Sequence, residues 1–327
     1  MQMNSFGQIL RVTIFGASHA QSVGITMEGI PHGIVLTPEM FAMDLDRRRP
    51  KLRGETPRNE EDIPIIEGLD CSGQTSDKPL TITFNNKNTL SKDYSHLKRH
   101  PRPSHADLVQ LRKYGEEHDI AGGGAASGRM TVALVAAGVV AKQILQGAKF
   151  TTTLTSVGGC SDSSRFDEII ATAARDGDSV GGIIECRVSG VTPSLGEPFF
   201  DSVESCVAHL LFSIPGVKGV EFGDGFSGTH KRGSERNDMI IDAVGTTSTN
   251  NEGGINGGIS NGNDIVVRVA IKPTPSIAKP QETYNFEHQV VSPLVIGGRH
   301  DACIARRASV VVEAMVALAL ADLTLRR

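Results

Sequence analysis

Two histidines and three runs of basic residues are the side chains best suited to chemistry. His19 closes the segment Phe15-Gly16-Ala17-Ser18-His19, directly after the strand-like ILRVTIF. His105 stands in Arg102-Pro103-Ser104-His105-Ala106-Asp107, where a helix pattern opens. An imidazole titrates near neutral pH, so a histidine beside Ser and Arg at a strand end or helix start is a candidate proton donor or acceptor. The first basic run is Arg47-Arg48-Arg49 with Lys51 and Arg53; the second is Lys98-Arg99-His100 with Arg102 and His105; the third is Arg299, His300, Arg306 and Arg307. One such run reads as a solvated face. Three, each near Gly, Pro or His, read as walls of a converging anion pocket. The planar fork of Arg can give two hydrogen bonds at once to a carboxylate or phosphate, so the expected ligand is a small polyanion.

A mixed set of elements must position these groups. Thr37 can cap, and Pro38 can open, a helix running to about Arg49. Ser104 and Asp107 resemble a capping arrangement for a helix through Lys113. Arg129 to Leu145 reads as a long helix rich in small residues, and Ser309 to Leu323 as another apolar helix. β-Branched residues mark strands at Leu80–Phe84, Gly182–Val188 and Asp264–Ile271. There is no regular strand–helix alternation and no repeat, which predicts an α+β fold. Glycines crowd into 122–124, 181–182, GDGFSG at 223–228 and GGINGGISNG at 253–262, as functional turns do. GDGFSG fits a dinucleotide-binding spacing, but THKRG follows it where a helix should start, so a hairpin turn is expected. The best seam for dividing the chain is 158–178.

Composition removes several function classes. The chain has 327 residues, 39% of them hydrophobic, which is enough for a sizeable core and rules out a disordered chain. Net charge is −4 and there is no Trp, a poor basis for binding nucleic acid. No uninterrupted apolar run reaches the roughly 18 residues that span a bilayer; the longest candidates are 130–141 and 309–320, the latter carrying Glu313. The N-terminus has no secretion-like segment. Five dispersed cysteines without CxxC give neither a disulfide framework nor a zinc site and suit a reducing cytoplasm.

Further strings continue the pattern: Asp44-Leu45-Asp46-Arg47-Arg48-Arg49-Pro50, His100-Pro101-Arg102-Pro103-Ser104-His105-Ala106-Asp107, GGGAASGRMT at 122–131, Asp176-Gly177-Asp178-Ser179-Val180-Gly181-Gly182, GVKGVEFG at 216–223, Lys272-Pro273-Thr274-Pro275-Ser276 and Arg299-His300-Asp301-Ala302-Cys303. With these and FGASH in family order, the chain resembles the chorismate synthases from Gly7 to about Leu323. The resemblance implies one catalytic unit over 1–327, with helices packed between antiparallel sheets. It implies a lyase that eliminates phosphate from 5-enolpyruvylshikimate-3-phosphate, using reduced FMN without net redox change. NADPH is a candidate reductant, a homotetramer the expected assembly, and a phosphorylated small molecule the expected partner, with no membrane or nucleic acid.

Residue by residue, the resemblance gives His19 the leaving phosphate, His105 the flavin ring, and Asp301 a share in proton removal, with Ser18 and Ser127 as site serines. Arg48, Arg49, Arg102 and Arg129 fall around the substrate. Arg48, Ala125, Ala126, Ser127, Pro215, Gly216, Gly257, Lys272, Pro273, Thr274, Pro275, Ser276 and Arg299 fall on cofactor-contacting positions. Arg53 would be a second arginine of the first cluster, with its spacing off by one. No metal site is implied. The chain departs from the family pattern at Ala17 (often Glu), Ala20 and Ser104 (often Gly), Ala121 and Ala125 (often Arg) and Ala126 (often Ser). Each lost charge-assisted contact is worth roughly 1.5–3 kcal/mol. Two alternatives therefore stand beside the lyase: a divergent flavin- or anion-binding homologue with little or no turnover, and a nucleic-acid module using the basic runs.

Overall fold

A computed structural model describes residues 4–327 apart from 53, 57, 59, 89–90 and 298–299, and apart from the side chains of 91–93. In chain order the strands are β1 (Ser5–Phe6), β2 (Arg11–Gly16), β3 (Ser22–Glu28), β4 (Ile65–Glu67), β5 (Leu80–Asn85), β6 (Lys149–Val157), β7 (Gly182–Ser189), β8 (Val217–Phe222), β9 (Ile255–Asn256), β10 (Ile259–Ser260), β11 (Ile265–Ile271), β12 (Gln281–Asn285) and β13 (Val290–Leu294). The helices are α1 (Pro38–Arg48), α2 (Asp107–Tyr114), α3 (Thr131–Ile144), α4 (Phe166–Arg175), α5 (Val203–Ser213), α6 (Gly233–Arg236) and α7 (Ala305–Arg326).

Two antiparallel sheets enclose the helices. One runs β1-β2-β3-β5-β4 and the other β6-β7-β11-β8. In β5, Leu80, Ile82 and Phe84 turn inward while Thr81 and Thr83 are less buried, the period-two pattern of a sheet with one face on the core. Helix α3 lies against β3 and β5, α7 lies against β6 and β7, and the two helices pack on each other. Their small residues are required there: a Cβ on Gly138 would sit 2.3 Å from the Cβ of Ala314. The chain is α+β, with helices between antiparallel sheets, as the family resemblance implies.

Several local expectations need correction. Thr37 occupies the cap position of α1 in extended backbone, with Pro38 in the first turn, but its side chain caps no helix N–H. Ser104 does not cap α2; Ala106 precedes the helix, and the Asp107 carboxylate turns instead to Arg102 and His105. GDGFSG leads from β8 into a 3-10 turn over Gly225–His230, not a hairpin, because β8 pairs with the distant β11. The proposed seam at 158–178 joins β6 to β7, which pair along their length, so it divides nothing. Helix α7 is long and apolar enough by composition to cross a membrane, with a mean hydropathy of 1.9. However, 78% of its most apolar stretch is buried inside the fold. The uninterrupted apolar run is shorter than the helix because Glu313 and Asp322 break it, and both are buried and ion-paired.

Candidate active site

A cleft of about 680 Å³ opens beside the end of α1 and the start of α3. Its size suits a small-molecule site. One wall is cationic. Arg48 leaves the last turn of α1 and donates from Nη1 to Asp62 Oδ2 at 3.0 Å and from Nε to Thr131 Oγ1 at 3.0 Å. Arg129, in the 3-10 turn before α3, reaches the other oxygen of Asp62 and donates from Nε to Asn86 Oδ1 at 2.8 Å. Arg58 donates from Nη1 to Ser18 Oγ at 2.9 Å and is held from behind by Glu60, also at 2.9 Å. Glu60 further accepts the backbone N–H groups of Lys87 and Asn88. Burial pulls Arg48 down to about 9, and Arg307, Arg129 and Arg58 add to the effect while Asp62 opposes it. The nearby cations thus crowd one another, which prepares the wall for an anion.

The opposite wall carries the histidines. His19 meets Tyr94 edge-on, with ring centroids 5.5 Å apart. The glycine loop passes close above it: a Cβ on Gly122 would lie 2.3 Å from the His19 ring and 2.6 Å from Ser18 Oγ, and φ there is +58°. His105 Nδ1 lies 2.7 Å from Asp107 Oδ1. Burial alone would raise the Asp107 carboxyl, but its contacts with Arg102 and His105 outweigh that and hold it well below the carboxylate range. Arg102 is committed to this cluster, giving Nε to Asp107 at 2.7 Å and Nη1 to Ser276 Oγ at 2.9 Å. Ser104 adopts φ +57°, a conformation that glycine takes without strain.

A third side is the loop 272–276. It is stapled to the 176–182 segment: Ser179 Oγ donates to the Thr274 carbonyl at 2.7 Å, and the Gly177 carbonyl accepts the N–H groups of Ala278 and Lys279. The same segment holds the neighbouring loop through Val180 N–H on the Ala302 carbonyl. There Asp301 accepts two hydrogen bonds from Arg307, at 3.1 and 2.9 Å, and one from the Thr56 N–H. Burial, with Lys218 close by, lowers Lys272. Burial also lowers His300, which lines the cleft.

The cleft is lined by His19, Arg48, Arg49, Arg102, His105, Ala125, Ala126, Ser127, Arg129, Pro215, Gly216, Lys272, Thr274, Pro275, Ser276 and Asp301, all named from the sequence. Ser18 is buried behind the wall and meets it through Arg58. Pro273 packs toward Gly181 and does not line the cleft. Gly257 does not line it either; with Gly258 it forms the two-residue turn of the β9–β10 hairpin, where φ of +59° and +88° requires glycine. Arg53 and Arg299 lie outside the described residues. The basic runs converge only in part: Arg47 turns into a core network, Arg306 pairs with Asp167, and Lys98 and Arg99 face Glu116. Ala125 is exposed on the cleft wall, whereas Ala121 is buried and off it, so only the first leaves a gap at the site. Sequence reading missed Arg58, Glu60, Asp62 and Tyr94. The alternation Arg58-x-Glu60-x-Asp62 was the available signal for three of them.

Comparison with known proteins agrees over the whole chain. The chorismate synthase family model matches residues 10–325. The chorismate synthase of Chitinophaga pinensis is 52% identical over 324 residues, covering 99% of this chain and 97% of that protein. The chorismate synthase of Opitutus terrae is 41% identical, covering 99% and 97%. A crystal structure of chorismate synthase superposes with a TM-score of 0.73 at 26% identity, covering 98% of this chain and 93% of the other.

Proposed function

The chain belongs to the chorismate synthase family, and on that premise we propose that the cleft described above is where its chemistry occurs. The protein is a lyase of the shikimate pathway that converts 5-enolpyruvylshikimate-3-phosphate to chorismate and phosphate by 1,4-anti elimination. One observation carries the assignment to this cleft: buried or half-buried arginines 48, 58, 129 and 307 meet two histidines around one cavity. A substrate with a phosphate and two carboxylates needs that surplus of cations.

The residues present fit FMN. Thr274 Oγ1 is buried without a partner, on a proline-stiffened loop that also carries Lys272 and Ser276. That donor set suits a phosphate or a polar ring edge. Lys272, Thr274, Ser276, Ser127, Pro215 and Gly216 would hold the cofactor. When bound, reduced FMN supplies transient electron density that eases the loss of phosphate without net redox change.

The chain's own residues bind, orient and move protons. Arg48, Arg58 and Arg129 hold the anionic groups of the substrate. His19 gives a proton to the departing phosphate oxygen as the C3–O bond breaks. Asp301, with Arg307 as its counter-ion, assists removal of the C6 proton. His105, steadied by Asp107, sets protonation next to the cofactor ring. Arg102 acts by fixing Asp107 and Ser276.

NADPH as the reductant, a cytoplasmic location and a homotetramer complete the reading, with the chain as one catalytic unit. All five cysteines are free, which supports a reducing compartment. Phe199 and Phe200, 85% and 93% exposed, support burial in an assembly. The exposed Ala125 favours a second reading, a homologue that binds but does not turn over. An anaerobic assay with FMN, dithionite and 5-enolpyruvylshikimate-3-phosphate separates the two. Equal release of chorismate and phosphate, absent without reduced flavin, is expected; binding without release would support the second reading.

A further inference from the structure

We propose that Asp62 is a positioning residue for substrate binding: its single carboxylate, one oxygen on each of Arg48 and Arg129, holds two arginines of the cleft wall in place and aimed at the substrate. This rests on the reading of the cleft given above. Asp62 is 6% exposed and takes φ +49°, a backbone conformation rarely open to residues other than Gly, Asn and Asp. It therefore sits in a strained position where a side-chain carboxylate, not the backbone, is the gain. Arg48 Nη1 donates to Oδ2 at 3.0 Å, and Arg129 Nη1 takes Oδ1. Among the described residues, the remaining hydrogen bonds of both guanidinium groups go to neutral acceptors: Thr131, Asn86 and the carbonyls of Asn85, Gly128 and Arg129. Without Asp62, the two nearly buried cations would lose the one carboxylate they share, while Glu60, which also acts on Arg129, stays paired with Arg58.

The alternative effect has the opposite sign. A carboxylate in an anion site also competes with the ligand, so its removal could strengthen binding. Geometry decides between them. Asp62 lines the cleft, but its side chain is 2% exposed and its two oxygens are already taken, one by Nη1 of each arginine, so it is a partner of the guanidinium groups more than a rival of the ligand. The charged groups around Arg48 are Asp62, Arg307, Arg129 and Arg58, with Asp301 on Arg307 and Glu60 on Arg58. Asp62 is the carboxylate that opposes burial and the three neighbouring cations at Arg48, so its loss leaves those cations to repel one another out of position.

The test is Asp62→Asn, which keeps the shape and tolerates the backbone, with Asp62→Gly as a second variant that φ +49° suits without strain. Calorimetric titration with 5-enolpyruvylshikimate-3-phosphate, in the presence of oxidised FMN, reads affinity without turnover. Both variants should bind at least about tenfold more weakly than wild type at pH 7. Where turnover is measured, KM should rise more than kcat falls. Unchanged or tighter binding, or a loss that only tracks a lowered melting temperature, would overturn the proposal. Because the affinity comparison needs no turnover, a wild type that binds without releasing chorismate would count against the lyase reading alone.

Discussion

Arg47 and Arg48 are neighbours in the last turn of α1, yet they belong to different kinds of place. Arg47 enters a closed network in which Asp44 and Glu313 balance Arg47 and Lys142, with Thr152 joining on Glu313. The network ties α1, α3, β6 and α7 together, and the hydrogen bonds that Arg47 donates to Glu313 raise it above its ordinary value. Arg48 enters the cleft, where Arg58, Arg129 and Arg307 outnumber the carboxylate it can use, and it is lowered to about 9. A balanced set of buried charges holds elements together. An unbalanced one waits for a ligand.

Changes in the cleft should therefore cost rate, and changes in the network should cost stability. The largest expected effect is at the histidines. His105→Ala should reduce turnover by about 10²–10⁴-fold, the range for acid–base groups, with little change in thermal unfolding. Stopped-flow measurement of chorismate release checks it. Wild-type turnover would remove His105 from the chemistry, and a large loss of stability would blur the contrast between the two regions.

The network should behave in the opposite way. Glu313→Gln leaves Arg47 and Lys142 facing one carboxylate, and should cost roughly 3 kcal/mol in denaturant unfolding, while kcat and KM per folded molecule stay unchanged. Protonation gives the same contrast. Burial would raise Glu313, but its bonds to Arg47, Lys142 and Thr152 prevail and bring it to about 2, below the ordinary 4.5. A carboxyl lowered on folding stabilises the fold above its unfolded value and loses that contribution as pH falls. Unfolding free energy should thus drop between about pH 4.5 and 2, and Glu313→Gln should flatten that slope. An unaltered slope would mean that the network contributes little.

The cleft answers next in size. Arg48→Ala removes a charged hydrogen-bond donor worth roughly 1.5–3 kcal/mol, so KM for the substrate should rise about 10–100-fold with a smaller fall in kcat. Arg47→Ala is the matched control: it should lower the melting temperature and leave KM alone. If the two variants cannot be told apart by KM, the distinction between neighbouring arginines fails.

The difference between these neighbours was not legible in the sequence, where Arg47, Arg48 and Arg49 form one basic run. Local patterns did carry the main helices, because the apolar and small residues of 131–144 and 305–326 serve one continuous core. They carried β5, β7 and β11, where inward β-branched residues recur. They did not carry β6, whose KFTTTLTSV alternates partly buried Thr and Leu with exposed residues and looks polar. The site residues that sequence did provide came through motifs in order. Those it missed depend on pairing over distance: Asp62 is significant only because α1 and the turn before α3 bring Arg48 and Arg129 to it. Gly257 shows the converse, a glycine named through a motif that the fold places in a hairpin turn away from the cleft.

The smallest expected effect tests whether a motif can act on the cleft without lining it. Ser179 lies in the Asp176–Gly182 string and reaches the site only through Thr274, whose carbonyl accepts its hydroxyl at 2.7 Å. Loss of one neutral hydrogen bond is worth about 1 kcal/mol, so Ser179→Ala should weaken FMN binding by about fivefold. Binding of the substrate by Arg48 and Arg129 should stay intact, because those side chains stand on elements that Ser179 does not touch. Fluorescence titration of FMN, beside calorimetry of the substrate, reads the two separately. A loss confined to FMN would assign the 272–276 loop to the cofactor side and the arginine wall to the substrate side. Equal losses would mean that the two walls move together, and that the closed network beneath α1 and α3 does not insulate one from the other.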